Sequence, residues 1–133
     1  MRRATDEDWD DILEADRACF PHDAPPPRDG AWWVVELDGT LAAYAAVRAA
    51  ETSPGAAYLC RVGVLPAFRG RGLQRVLVRA RERWARARGF THTVTDTYYN
   101  PASANTLIRC GYRMFEPARP WALDGACYLM RKL

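Results

Sequence analysis

Two glycines set between arginines are the residues of this chain best suited to chemistry. The stretch Val62 to Arg75 reads Val-Gly-Val-Leu-Pro-Ala-Phe-Arg-Gly-Arg-Gly-Leu-Gln-Arg. A β-branched run ends at Pro66, a turn with Gly70 and Gly72 follows, and a helical pattern begins at Leu73. The first N–H groups of a helix have no internal partner, and the macrodipole adds partial positive charge there. Glycine lets an anion approach the backbone without meeting a Cβ, and Arg69 and Arg71 can add charge-assisted bonds. The chemistry implied is the holding of phosphate at a helix start. A Gly-x-Gly turn is also a common plain connection between strand and helix, so the rest of the chain must decide.

Other reactive types are scattered. Cys19, Cys60, Cys110 and Cys127 lie far apart with no Cys-x-x-Cys and no histidine cluster, so metal-ligand spacing is absent. Cys60 and Cys110 sit in apolar patterns and are expected to fill core. The chain of 133 residues suits one domain, 1–133, with its own core. Its composition, 49% hydrophobic and 26% charged, is that of a soluble globular protein. No apolar run approaches the ~20 residues of a membrane span, and the N-terminus lacks a signal-peptide core. A cytoplasmic protein with reduced cysteines and no membrane partner is expected. The net charge is only +3, but it is uneven: Asp6 to Asp16 is acidic and Arg69 to Arg88 is rich in arginine.

The elements that must position the glycine turn follow from periodicity. Arg2 to Thr5 suits an edge strand. Thr5 then caps a helix running to Phe20, with Trp9, Ile12, Leu13, Cys19 and Phe20 as its apolar stripe. Asp16 falls inside that stripe and is expected at the core's edge with its carboxylate in water, a cleft-facing position being the alternative. Pro21 to Gly30 is an extended loop. Trp32 to Leu37 and Thr40 to Val47 form a hairpin about Asp38-Gly39. Tyr58 to Val64 is the next strand, with Tyr58, Cys60, Val62 and Val64 on one face and Leu59, Arg61 and Gly63 on the other. Gly63 implies a bulge or the close approach of another group.

A helix spans Leu73 to Arg88, its apolar face Leu73, Val76, Leu77, Ala80, Trp84 and Ala87. Arg75, Arg79, Glu82 and Arg86 are read as a solvated face, with Glu82 and Arg86 spaced for a surface pair. Thr91 to Thr97 is a strand parallel to Tyr58–Val64, because a crossover helix joins them. Ser103 to Cys110 is a short helix. Tyr112 to Phe115 and Cys127 to Arg131 are strands around the loop Glu116 to Gly125.

This order resembles the GNAT family of acetyl-coenzyme A-dependent N-acetyltransferases over nearly the whole chain. Val64-Leu-Pro-Ala-Phe-Arg-Gly-Arg-Gly-Leu is similar to the family's pyrophosphate motif. Asn100-Pro-Ala-Ser-Ala-Asn-Thr-Leu-Ile-Arg-Cys-Gly-Tyr is similar to its later Asn…Ser-x-Asn…Gly-aromatic segment. The fold implied is a single α/β domain: a mixed, mostly antiparallel sheet with one parallel pair that splays apart, and helices on both faces. The resemblance implies that acetyl-CoA is the co-substrate. Backbone groups of Val62 and Val64 would pair with the pantetheine arm. The diphosphate would rest on amides from Arg69, Gly70, Arg71, Gly72 and Leu73 to Gln74, and Asn105, helped by Asn100, would reach the pantetheine or nucleotide part. The family motif, Gln/Arg-x-x-Gly-x-Gly/Ala, fits in two registers. From Arg69 it takes Gly72 and puts Gln74 last; from Ala67 it takes both glycines but puts alanine first.

The implied reaction is direct attack of a neutral primary amine, on a small molecule or a peptide, upon the thioester. An ammonium must first lose a proton, and Asp96, Glu51 and His22 are candidate bases, Asp96 preferred. Many members protonate the departing thiolate with a tyrosine four residues before the glycine matching Gly111; here that position is Leu107. Tyr98, Tyr99 and Tyr128 are candidates by type, with Tyr98 set beside Asp96 as a catalytic residue. The proline loop, the Trp32-Trp33 strand and the 116–125 loop are expected to shape the acceptor pocket, with Trp33 and Trp121 as possible lining. Two rivals stay open: a GNAT-like protein that binds coenzyme A without transfer, and a nucleic-acid module using the arginine helix, which the low net charge disfavours. A homodimer is a further possibility.

Overall fold

The computed structural model describes residues 1–133. Its strands are β1 (Arg2–Arg3), β2 (Ala31–Leu37), β3 (Thr40–Ala49), β4 (Ala56–Val64), β5 (His92–Thr97), β6 (Arg113–Met114) and β7 (Cys127–Lys132). Its helices are α1 (Trp9–Cys19), α2 (Leu73–Ala87) and α3 (Pro101–Arg109). One seven-stranded sheet runs in the order β1-β2-β3-β4-β5-β7-β6, antiparallel throughout except for β4 and β5. The hairpin forms as its turn chemistry requires: Leu37 pairs with Thr40, and Asp38 and Gly39 both take positive φ. No helix is long and apolar enough to cross a membrane.

The core lies in two layers. On one face α1 places Ile12 and Ala15 against Trp32, Val34, Tyr44 and Ala46. On the other, α2 places Leu77, Val78 and Ala80 against Trp33, Val35, Ala43 and Ala45, joined by Leu107 of α3 and by Cys110 just past its end. The alanine-rich β3 lets the helices come close, since Ala42, Ala43, Ala45 and Ala46 each add only a methyl group.

Four sequence expectations change here. First, the face alternation of β4 inverts partway. Ala46 pairs with Arg61 but Arg48 with Tyr58, so β4 carries one extra residue around Leu59 and Cys60. A bulge of this kind shifts every later side chain to the opposite face. Leu59, Val62 and Val64 therefore pack toward α2, while Cys60 and Leu65 pack toward α1. The bulge is not at Gly63, but the close approach is: a Cβ on Gly63 would lie 2.3 Å from the Tyr44 hydroxyl oxygen.

Second, the buried face of α2 is rotated. Val76 and Ala87 are exposed, whereas Val78, Arg81, Glu82 and Ala85 are buried. Arg81 enters the bulge, donating to the carbonyls of Ala46 (3.2 Å) and Arg61 (3.4 Å) and to Leu77 O (3.1 Å). These carbonyls give the buried guanidinium the acceptors it would otherwise lose with water. Burial pushes its guanidinium down to about 10.

Third, Glu82 is not a surface partner of Arg86. Its carboxylate is enclosed and receives Arg79 (2.8 Å), Arg131 (2.8 Å) and the Tyr112 hydroxyl (2.9 Å). Burial pushes the Glu82 carboxyl up, but these hydrogen bonds together outweigh it and hold the group below its ordinary value. A carboxyl lowered in the folded state contributes stability above the unfolded glutamate pKa, ~4.3, and loses it as pH falls through the folded value. Glu82→Gln is expected to cost about 2 kcal/mol at pH 7, because Arg79 and Arg131 can still turn toward water. In urea melts the gap between Glu82→Gln and the wild type should close as pH falls below that range; a gap constant from pH 7 to pH 3 would exclude this role.

Fourth, Asp16 does not face water. It is 2% exposed and accepts from the Tyr44 hydroxyl (2.6 Å) and from Arg61 Nε (2.9 Å) and Nη2 (2.7 Å). Arg61 also reaches Ala24 O at 3.2 Å, which ties the proline loop to β4.

Candidate active site

The sheet opens where the glycine turn begins. β4 and β5 pair at Ala56–His92, Ala57–Thr93 and Tyr58–Val94 and then separate, although β4 continues to Val64 and β5 to Thr97. Past these pairs a hydrogen bond from Thr95 Oγ1 to Leu59 O, 2.9 Å, still ties them. Beyond it β4 still pairs with β3. Leu65 N–H donates to Ala42 O, so residues 63 and 65 face β3, and the N–H and C=O of Val62 and Val64 turn toward the gap. The Val64 carbonyl is taken by Arg69 Nε (3.0 Å) and by the Cys19 thiol (3.7 Å). The Val62 N–H and C=O and the Val64 N–H are left as the open edge.

At the end of this gap lies the glycine turn. Gly70 and Gly72 adopt φ of 80° and 75°, left-handed conformations that other residues enter only at a cost. The amides of Phe68 and Arg69 are engaged with Leu65 O (2.9 Å) and Pro66 O (3.4 Å). The next six amides, Gly70 to Arg75, have no acceptor. The unpaired set thus begins one residue later than expected and extends one residue further. A cavity of about 620 Å³ opens above them. Arg69, Arg75 and Arg109 stand on its wall, and no carboxylate does. Arg71 is not among its lining residues; its guanidinium lies 5.4 Å above the Phe68 ring.

A second cavity, about 740 Å³, occupies the gap itself and shares Phe20, Val62, Gln74, Asn100 and Ser103 with the first. Asp96 is on its wall. Tyr58 donates to Asp96 Oδ1 at 2.6 Å and Trp121 Nε1 to the same oxygen at 2.9 Å, while Oδ2 takes no hydrogen bond from the protein. Burial, and then the nearby Asp96 charge, push the Tyr58 phenol up, so it remains a donor. Tyr98 lines the mouth of this cavity and is 45% exposed.

The other expected residues divide. Asn100 lines both cavities and also caps α3, its Oδ1 accepting from Ser103 N–H at 3.1 Å. Asn105 is exposed and lines neither, although Ala102 and Arg109, each about one turn away, line the first. Ser103, Thr106 and Arg109 take that wall instead. Leu107 lines the second cavity one turn beyond Ser103, whose hydroxyl accepts from Gln74 Nε2 at 3.0 Å. His22 lines neither cavity, and Glu51 lines only a small separate cleft of about 180 Å³. Tyr128 accepts from Ala122 N–H at 3.1 Å and so pins the β6–β7 loop. Trp33 is core, whereas Trp121 lines the second cavity. Tyr58, Arg61 and Thr95 went unrecognised as site residues.

The amide row, three arginines and a slot between parted strands suit a long molecule with an anionic end. Known proteins share this fold. The chain spans 99% of itself and 98% of a ribosomal-protein-alanine N-acetyltransferase from Brucella melitensis, at 19% identity and a TM-score of 0.76. Against a phosphinothricin acetyltransferase from Sinorhizobium meliloti in complex with acetyl-CoA the score is 0.79, at 16% identity, covering 99% and 86%. Against yncA from Salmonella typhimurium with its cofactor acetyl-CoA it is 0.80, at 19% identity, covering 98% and 91%. These likenesses concern the fold. No curated protein matches the sequence. The sequence itself matches the Acetyltransferase (GNAT) family over residues 2–112, and the chain belongs to that family.

Proposed function

We propose that the chain is an acetyl-CoA-dependent N-acetyltransferase that moves an acetyl group to a primary amine. The observation that carries this reading is the run of unpaired amides from Gly70 to Arg75, facing a cavity with three arginines and no carboxylate, at the end of the gap between β4 and β5. Those amides, with Arg69, Arg75 and Arg109, would take the diphosphate. The open edge at Val62 and Val64 N–H would pair with the amide groups of the pantetheine arm, as an added strand does. Once bound, acetyl-CoA supplies an acyl group activated as a thioester.

Asp96 then serves the acceptor. Its Oδ2 takes the proton that the ammonium must lose before nitrogen can attack, while Tyr58 and Trp121 hold the other oxygen in place. The C–N bond forms, the C–S bond breaks, and the proton shed by the acylated nitrogen goes to the departing thiolate, so that free thiol leaves. Release of free thiol that depends on added primary amine is the test. Asp96→Asn keeps both hydrogen bonds to Oδ1 and should lower kcat about 100-fold while leaving acetyl-CoA affinity within twofold. Thiol release that no amine accelerates would overturn the transferase reading.

A further inference from the structure

We infer that the acceptor is a primary amine carrying a flat apolar group, with its nitrogen at Asp96 and its apolar part on Tyr98, Tyr99 and Leu123. This rests on the reading of the second cavity as the acceptor side. Charge accounting comes first. Asp23 faces Arg61 at 3.7 Å, and Asp16 behind it is held by the same guanidinium. Asp96 is the carboxylate of this wall that no arginine or lysine touches: both its partners are neutral donors, and both bind one oxygen. A cation at Oδ2 completes it. Arg61 and Arg81 on the inner wall disfavour a second positive charge deeper in, so a polyamine fits poorly.

The walls near Asp96 are aromatic. Tyr58 and Trp121 meet edge to face, with ring centroids 5.9 Å apart. Such a surround favours an ammonium through the ring quadrupoles. The mouth is apolar and unusually open. Tyr98 (45% exposed) and Leu123 (68%) line it, and Tyr99 (86%) meets Tyr98 edge to face with centroids 4.5 Å apart. Leu123 arrives from the β6–β7 loop, whose Gly125 lies beside Tyr98: a Cβ there would be 3.8 Å from the ring.

Tyr99 adds an independent observation. Its φ is 47°, and apart from Asp38 in the hairpin it is the chain's other non-glycine residue at positive φ. A bulky side chain held in that region is strained, and such strain clusters at ligand sites. Here it projects a ring from the β5–α3 turn against Tyr98, which lines the cavity, and leaves most of that ring open to solvent. Tyr98, Tyr99 and Leu123 together present a surface that a bound aryl group would cover.

The test compares 2-phenylethylamine, ethylamine and spermidine by calorimetry on the whole chain, with and without saturating coenzyme A. Phenylethylamine should bind at least tenfold more tightly than either other amine, and Tyr99→Ala should reduce that advantage to threefold or less. Equal binding of the three amines, no binding by any, or an advantage that survives Tyr99→Ala would each overturn the inference. Coenzyme A binding with a flat amine ranking faults this inference alone. An intact ranking without coenzyme A binding faults the cofactor reading instead.

Discussion

Gly72→Glu is expected to weaken acetyl-CoA binding about 1,000-fold while the chain stays folded. A carboxylate about 4 Å from a diphosphate costs about 4 kcal/mol at the effective dielectric of a protein surface, which corresponds to that factor. Nothing lies within 4 Å of a Cβ built on Gly72, so no clash accompanies the change. The φ of 75° adds roughly 1–2 kcal/mol of backbone strain. Gly72→Ala carries the same strain without the charge, and its affinity should fall by less than tenfold. Calorimetry with acetyl-CoA on both variants separates the two effects. Affinity for Gly72→Glu within threefold of the wild type would mean that the amides from Gly70 to Arg75 hold no diphosphate. Arg69 is a poorer choice of variant, because its Nε also secures the Val64 carbonyl.

The second large effect is on stability. Gly63→Ala should destabilise the chain by about 3 kcal/mol, seen as a lower urea midpoint. The new methyl group would meet three atoms of the Tyr44 ring and hydroxyl at 2.3–2.4 Å. Tyr44 cannot retreat easily. It is fully buried, stacks near Trp32 with centroids 6.4 Å apart, and donates to Asp16. Displacing it also disturbs the pairing of Asp16 with Arg61, a buried ion pair whose disruption is costly. In a β-strand without positive φ, alanine would otherwise stabilise by restricting the unfolded chain. Gly39→Ala is the contrast: it has φ of 73° and open space, and should cost only about 1 kcal/mol. A midpoint for Gly63→Ala equal to that of the wild type would show that Tyr44 is free to move.

Asp96→Asn on turnover and amine shape on binding both probe the acceptor pocket, and the effect of pH on Glu82 probes the scaffold. Together with the two glycine variants they separate the diphosphate cradle, the acceptor pocket and the scaffold beneath both.

What the chain's own order determined is what short-range physics can specify. Asp38-Gly39 between apolar runs made the hairpin. Pro66 and the pair Gly70 and Gly72 made the turn before α2, and a crossover helix made β4 and β5 parallel neighbours. The amide row was legible for the same reason, because it belongs to one continuous stretch. The tertiary structure decided which charges are buried. Asp16 and Glu82 read as groups in water, and Arg81 drew no reading; their partners come from β3, β4 and β7, as far as 49 residues away. It also decided the faces of β4, since one extra residue opposite β3 inverts every later side chain. Asp96 shows both levels at once. Its place near the end of β5 followed from local pattern, but only the packed sheet brings Tyr58 and Trp121 to one of its oxygens and leaves the other toward the cavity. Local propensity acts over a few residues, whereas the pairing of charges depends on which distant segments the sheet sets side by side.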